Sequence, residues 1–191
     1  MTLRALLVSL LALGALVVSG CGNRQDVKTL GETEGVYVDV GDMSYQVQLS
    51  RVLNPNDIED RSYLAGLPEG VGLAKDETWF AVFMRVNNPT DGPLPAARDF
   101  RIVDTQENEF TPVPLDTKAN PFAYDPERPL ESKAVLPDPN SVSGEGDIQG
   151  ALILFKVKLS SLISNRPLEL KIAPPDAPAS GSGGATIDLD V

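Results

Sequence analysis

The stretch that decides the fold is WFAVFMRV, residues 79–86, the most apolar run of the chain beyond its first twenty residues. Its apolar residues occupy both alternating sets of positions, so both faces of an extended strand here would be buried. A strand with two buried faces belongs inside a core. The run stops at NNPTDGP, residues 87–93, because this turn-forming sequence with its two prolines does not continue a strand. We therefore predict a central strand over residues 79–86.

Two segments before this strand have the pattern of a β-hairpin. Residues 36–40 are rich in β-branched side chains, and residues 44–53 alternate apolar and polar side chains. A GDM turn lies between them, which predicts that they pair directly. In the second segment, Tyr45, Val47 and Leu49 are expected to share one face.

The second strong strand signal is IQGALILFKVKL, residues 148–159. We expect Phe155 of this strand and Phe83 of the central strand to lie in one core. The remaining predicted strands are residues 100–104, 110–113, 168–172 and 185–191. Short strands separated by turn residues predict an all-β protein, an antiparallel β-sandwich.

Two long connections interrupt the strand pattern. Residues 54–76 are rich in glycine and proline, with one helical turn expected over residues 57–63. Residues 114–147 are rich in proline, and we expect an extended loop pinned to the domain by Phe122 and Tyr124.

Residues 1–20 have the layout of a secretory signal peptide. Arg4 supplies the positive charge, residues 5–18 are almost entirely apolar, and Ser19 and Gly20 are small. The apolar run is shorter than the ~20 residues that a permanent membrane-spanning helix needs. A membrane anchor helix is the alternative interpretation.

The sequence Val18-Ser19-Gly20-Cys21 resembles the lipobox of bacterial lipoproteins. The resemblance implies that signal peptidase cuts between Gly20 and Cys21, and that the Cys21 thiol carries a diacylglyceryl group, with palmitate as a typical acyl chain. Two or three acyl chains hold a protein durably at a membrane, since each buried methylene contributes about 0.8 kcal/mol. A free or intermolecularly paired Cys21 thiol is the alternative.

Composition excludes several functions. The 191 residues contain no histidine and one cysteine, which excludes Ser-His-Asp and Cys-His nucleophiles, an internal disulfide and multi-cysteine metal centres. The net charge is −11. An acidic chain without a basic cluster argues against nucleic acid as a partner. We expect no cofactor.

The order of motifs resembles the bacterial DUF4352 group of exported lipoproteins over residues 36–172. The matching segments are YQV (45–47), WFAVFMRVNN (79–88), DGPL (91–94), FRIVD (100–104), Phe110 and GALILFKV (150–157). The resemblance implies an immunoglobulin-like sandwich, a location at the cell surface and no established catalysis.

The remaining candidates for chemistry are carboxylates. One acidic group contains Asp57, Glu59 and Asp60, and another contains Asp104, Glu107 and Glu109. A glycosidase-like pair needs two carboxylates about 5–9.5 Å apart across a cleft. Solvated loop charge is the simpler interpretation, and calcium bound near residues 54–60 is a further alternative that the sequence leaves open.

The sequence thus predicts four parts: a lipoprotein signal peptide (1–20), a flexible tether (21–35), a β-sandwich (36–172), and a linker with a last edge strand (173–191). The predicted function is a lipid-anchored, noncatalytic binding or accessory module on the extracytoplasmic face of the bacterial cell membrane. The alternative is an acidic-pair hydrolase of the envelope. The expected partner is an envelope protein with a basic surface, bound through residues 54–76 and 119–146. The alternatives are that these connections only cover apolar sheet surface and that the domain is a structural spacer.

Overall fold

The computed structural model describes residues 27–176 and 183–191, which form two facing β-sheets with a few short helices. The strands are β1 (Leu30–Gly31), β2 (Tyr37–Val40), β3 (Met43–Leu53), β4 (Glu77–Asn87), β5 (Phe100–Val103), β6 (Glu109–Phe110), β7 (Val135–Leu136), β8 (Ala151–Lys158), β9 (Leu168–Ile172) and β10 (Ala185–Leu189). The helices are α1 (Ile58–Tyr63), α2 (Val142–Glu145) and α3 (Leu159–Ile163). Within these ranges no helix has the length and apolar character needed to cross a membrane. The expected β-sandwich is confirmed at the level of a mainly-β, two-sheet fold.

Sheet I is built around β4, the strand predicted to be central. β4 pairs antiparallel with β3 on one side and with β8 on the other. β2 extends the sheet beyond β3 as the expected hairpin, and β7 pairs with the last residues of β4. β4 therefore has neighbours on both edges, in agreement with its uninterrupted apolar sequence.

Sheet II has the strand order β1-β10-β9-β5-β6. Its pairs are antiparallel except for β1 and β10, which run parallel. β5 and β6 form a hairpin, and α3 follows β8 directly. Sheet II covers one face of sheet I, which we call the inner face.

Sheet I buries apolar side chains on both faces. The main core lies between the sheets and contains Phe80, Phe155, Phe100 and Leu170. A second core lies on the outer face of sheet I, where Trp79, Phe83 and Leu152 are covered by the two long connections. Phe83 and Phe155 are each 1 % exposed or less. The prediction that these two rings share one core is wrong, because they project from opposite faces of sheet I.

A β-bulge in β3 changes which side chains face the main core. The register with β4 shifts between Val47 and Leu49. Tyr45 and Val47 are buried in the main core, whereas Leu49 packs against the second core. The expectation that all three share one face is therefore wrong, because the extra residue of the bulge reverses the alternation.

The ends of the described chain belong to the sandwich. Leu30 and Gly31, within the expected tether 21–35, pair with β10. The Glu34 carboxylate accepts hydrogen bonds from the backbone N–H groups of Ser50 (3.0 Å) and Asp190 (3.2 Å). β10, expected as an edge strand, lies between β1 and β9. Residues 27–35 are therefore attached to the domain instead of forming a free tether.

Candidate functional site

Gly20 and Cys21, the predicted cleavage and lipidation site, lie outside the described residues, as does the whole predicted signal peptide 1–20. The lipoprotein assignment therefore remains a prediction from the sequence.

The first acidic group organises the connection between β3 and β4. The Asp57 side chain caps α1 by accepting hydrogen bonds from the N–H groups of Glu59 (2.9 Å) and Asp60 (3.2 Å). Asp60 is 4 % exposed, pairs with the Arg51 guanidinium and accepts from the Asn54 N–H at 2.7 Å. Asp60 is thus a buried ion-pair partner and not solvated charge, whereas Asp57 and Glu59 are exposed as that interpretation expects.

In the second acidic group Asp104 is buried, whereas Glu107 and Glu109 are exposed. Asp104 is 4 % exposed, and its carboxylate accepts hydrogen bonds from Asn108, Ser161 and Asn165. Burial by itself would raise the pKa of Asp104, but these hydrogen bonds outweigh it and hold the pKa well below its usual range. Glu109 pairs with Arg101 at 2.9 Å on the surface. Asp104 therefore fixes the end of the sandwich in its ionised form.

The part of the chain that the structure describes holds no group of three or more cysteine, aspartate or glutamate side chains arranged to bind a metal ion. Around residues 54–60, the Asn54 side-chain oxygen accepts from the Asn56 N–H at 3.0 Å. The side-chain oxygens of Asn54, Asp57 and Asp60 therefore bond to backbone groups and, for Asp60, also to Arg51.

Two buried asparagines hold the long connections in place. Asn120 is 1 % exposed, and its side-chain nitrogen donates to the carbonyl oxygens of Tyr63 (2.9 Å) and Ala65 (3.0 Å). Asn88 is fully buried, and its side-chain nitrogen donates to the carbonyls of Leu130 (2.9 Å) and Glu131 (3.0 Å). These hydrogen bonds join the connection 54–76 to residues 119–122 and fasten residues 130–131 to the end of β4.

A cavity of about 520 Å³ lies beside the outer edge of β8. We call it the β8 groove; its lining consists of Arg98, Phe100, residues 112–117, residues 123–127 and residues 152–154. Its volume falls in the range of about 300–1,000 Å³ that is usual for ligand sites. Two short segments flank this part of β8: Val113 N–H donates to the Leu154 carbonyl (2.7 Å), and Tyr124 N–H donates to the Leu152 carbonyl (2.8 Å).

The deepest lining residues are apolar. Phe100, Tyr124 and Ile153 are buried members of the main core and also line the β8 groove. The Tyr124 hydroxyl donates to the Ala97 carbonyl at 2.9 Å, while the Ala97 N–H donates to the Tyr45 hydroxyl at 2.8 Å. Burial raises the pKa of Tyr45 to about 12 and that of Tyr124 well above its usual value. Both hydroxyls therefore stay neutral and keep their hydrogen bonds to the Ala97 backbone.

The rim of the β8 groove is acidic. Asp116, Asp125 and Glu127 contribute three carboxylates, and Arg98 is paired with Glu127 at 3.3 Å. A second cavity of about 440 Å³ lies under residues 128–143 and shares part of this lining. The sequence offered one signal for the groove, the aromatic Tyr124 within a proline-rich connection; the acids of the rim were not singled out.

Comparisons with known proteins bear on the fold. No protein-family model and no curated protein matches the chain. The yjhA protein from Bacillus subtilis has a similar structure, with a TM-score of 0.54 at 11 % identity over 83 % of this chain and 99 % of that one. An uncharacterized β-sandwich protein from Clostridium difficile aligns with a TM-score of 0.47 at 9 % identity, covering 83 % and 93 % of the two chains. At 11 % identity the likeness to yjhA shows the fold alone. The class that the fold defines is the mainly-β, two-sheet sandwich.

Proposed function

We propose that the protein is a lipid-anchored, noncatalytic binding or accessory module on the extracytoplasmic face of a bacterial cell membrane. The observation that carries the binding role is the β8 groove, an open cavity of about 520 Å³ whose apolar floor belongs to a rigid sandwich. Sites of this kind, formed by loops on a fixed scaffold, are where binding proteins usually hold their partners. The finer assignment to an immunoglobulin-like domain of the DUF4352 group is part of the proposal and rests on the motif order given above.

The bonding of the acidic groups supports the noncatalytic role. A general acid or base needs a carboxyl group within reach of substrate and a pKa suited to proton transfer. Asp60 and Asp104 are buried and bonded to Arg51 and to Ser161 respectively. Asp57 is bonded to the first turn of α1. No observation favours the alternative of an acidic-pair hydrolase.

The anchor is tested first by the substitution Cys21→Ala. Wild-type protein should incorporate labelled palmitate and sediment with membranes, because the lipobox-like sequence places the acyl chains on this residue. The variant should incorporate no label and should remain unprocessed or appear in the soluble fraction. A processed Cys21→Ala protein that still sediments with membranes contradicts the lipoprotein assignment.

Partner binding is tested by site-specific photocross-linking of the full-length protein in its native envelope. A photoreactive residue at Thr117, which lines both cavities, should give discrete cross-linked products. The matched control is the same residue at Asp42, which is exposed in the turn between β2 and β3. Equal patterns from the two positions, or no products from either, contradict the binding role.

A further inference from the structure

We infer that the β8 groove binds an extended segment of a partner protein in which an apolar side chain lies next to a lysine or arginine. This inference rests on the proposed binding function and adds the chemistry of the partner. It follows from three properties of the groove: an apolar floor, walls rich in proline, and an acidic rim.

The first property is the apolar lining of the β8 groove. Phe100 and Tyr124 meet edge to face with ring centroids 5.3 Å apart, and Ile153 of β8 lies beside them in the groove lining. The Tyr124 hydroxyl donates to the Ala97 carbonyl. Phe100, Tyr124 and Ile153 are only 2–8 % exposed. The apolar surface open to a ligand therefore belongs to the half-buried Pro112, Val113, Leu115 and Pro126 around them.

The walls are preformed. Pro112 and Pro114 stand in one wall and Pro126 in the other, so three wall positions have a restricted φ angle and no backbone N–H. The hydrogen bonds from Val113 and Tyr124 to β8 fix both walls against sheet I. A fixed groove loses little conformational entropy on binding. Walls with few N–H donors are also poorly suited to an anionic ligand.

The rim selects a cation. Asp116 and Asp125 each accept one backbone hydrogen bond, from Lys118 (2.9 Å) and from Glu127 (3.1 Å). A carboxylate has about four acceptor positions, so both retain capacity for an ammonium or guanidinium group. Arg98 offsets one of the three rim carboxylates, which leaves the rim negative in a chain of net charge −11.

A lysine or arginine of a polypeptide fits floor and rim together. Its aliphatic stem packs on apolar surface while the charged head reaches the carboxylates. A neighbouring apolar side chain then packs against the half-buried Pro112, Leu115 and Pro126. A small polyamine would use the rim alone, which makes it the informative competitor.

The probe is an array of labelled hexapeptides with Leu next to Lys, compared with peptides in which Glu replaces Lys or Ala replaces Leu. Binding to the full-length lipoprotein in detergent is measured by fluorescence anisotropy at 50 and 300 mM salt. We expect the Leu-Lys peptides to bind, the Glu peptides to fail, and affinity to fall as salt rises. The triple substitution Asp116→Asn/Asp125→Asn/Glu127→Gln should weaken binding about tenfold, because it removes the negative charge of the rim that attracts the lysine.

The matched control removes the same charges elsewhere. Glu32→Gln/Asp42→Asn/Asp176→Asn changes three exposed carboxylates outside the groove lining and should leave peptide affinity unchanged. Equal losses in the two triples, binding of the Glu peptides, affinity independent of Leu, or failure of every peptide to bind each overturns the inference. Displacement by spermidine as effective as displacement by unlabelled Leu-Lys peptide overturns it as well.

The proposed binding function and the inferred basic-peptide partner are contradicted by different results. Cross-links at Thr117 that are unaffected by the rim triple leave the binding function in place and remove the basic-peptide chemistry. Absence of Thr117-specific cross-links in the native envelope removes the binding function itself.

Discussion

Replacing Asp104 by asparagine should destabilise the protein strongly at neutral pH. The carboxylate of Asp104 is 4 % exposed and accepts hydrogen bonds from the Ser161 hydroxyl (2.6 Å), the Asn165 side chain (3.2 Å) and the Asn108 backbone (3.0 Å). These bonds join the β5–β6 hairpin to α3 and the residues after it. Asparagine keeps the shape of the side chain. Its amide nitrogen, however, replaces one acceptor oxygen of the carboxylate by a donor, and this donor faces the surrounding donor groups.

The expected loss in the free energy of unfolding is about 2–4 kcal/mol, because hydrogen bonds to a buried charged group contribute roughly 1.5–3 kcal/mol net and unpaired buried donors add a penalty. For a domain of this size, that loss lowers Tm by roughly 5–15 °C. The effect should depend on pH in a defined direction. The pKa of Asp104 lies below its ordinary value of 3.8 in the folded state, so the unfolded chain takes up a proton first as pH falls.

The stabilising contribution of Asp104 is therefore complete above its unfolded pKa and is lost as pH falls from there through the lower folded pKa. Urea unfolding of wild type and Asp104→Asn at pH 7, 5, 3.5 and 2.5 should show a difference that shrinks with each step below pH 5. Asp42→Asn, at an exposed turn, is the matched control and should change stability by less than about 0.5 kcal/mol. A difference that stays constant from pH 7 to 2.5, or one no larger than the control, refutes the reasoning.

Three further predictions concern packing and the loop contacts, all measured by urea unfolding. Phe83→Ala and Phe155→Ala should each cost about 3–5 kcal/mol, and the double variant should show the sum, because the two rings lie in separate cores; a coupling above about 1 kcal/mol would contradict that separation. Asn120→Ala should cost roughly 2–3 kcal/mol by leaving buried carbonyls without a donor, and an unchanged midpoint would show that this side chain does not hold the connections. Gly66→Ala should cost more than about 1 kcal/mol, because Gly66 has φ +73° and an added Cβ would lie 2.8 Å from the Asp116 carbonyl oxygen; a neutral result would contradict the close approach.

Strands were the part of the fold that local sequence predicts well. β4 and β8 carry apolar residues at both alternating sets of positions, and β9 and β10 alternate strictly between buried and partly exposed residues. Each of these patterns depends only on side chains within one strand. The hairpin at Gly41 was equally local, since its glycine adopts φ +60° in the turn.

Features that depend on distant partners were not predictable in the same way. The bulge between Val47 and Leu49 places Leu49 opposite Phe83 on the outer face, a relationship that residues 44–53 alone do not reveal. β1 has only two residues and forms by pairing with β10, more than 150 positions away along the chain. Glu34 likewise reads as a polar tether residue until Ser50 and Asp190 are placed beside it.

The candidate site combines both kinds of information. The proline and aromatic content of residues 114–147 predicts that they lie over the domain, held in part by Phe122 and Tyr124. Both of these side chains do pack against the cores. The groove itself lies where residues 112–117 and 123–127 meet β8, and no local pattern marks that place.

The connection formed by residues 114–147 also closes the main core. This limits which experiments can test the groove. Leu130 is buried at 8 % exposure, exchanges two backbone hydrogen bonds with Leu94, and supplies a carbonyl to the Asn88 side chain. A deletion within residues 125–146 that removes Leu130 would open the core and leave Asn88 short of partners, so a lost partner and a lost fold would give the same result. The rim carboxylates lie in the same connection, but they make exposed or short-range contacts. Substituting them changes the charge of the groove while leaving the packing of Leu130 and Tyr124 intact, so their effect on binding reports on recognition alone.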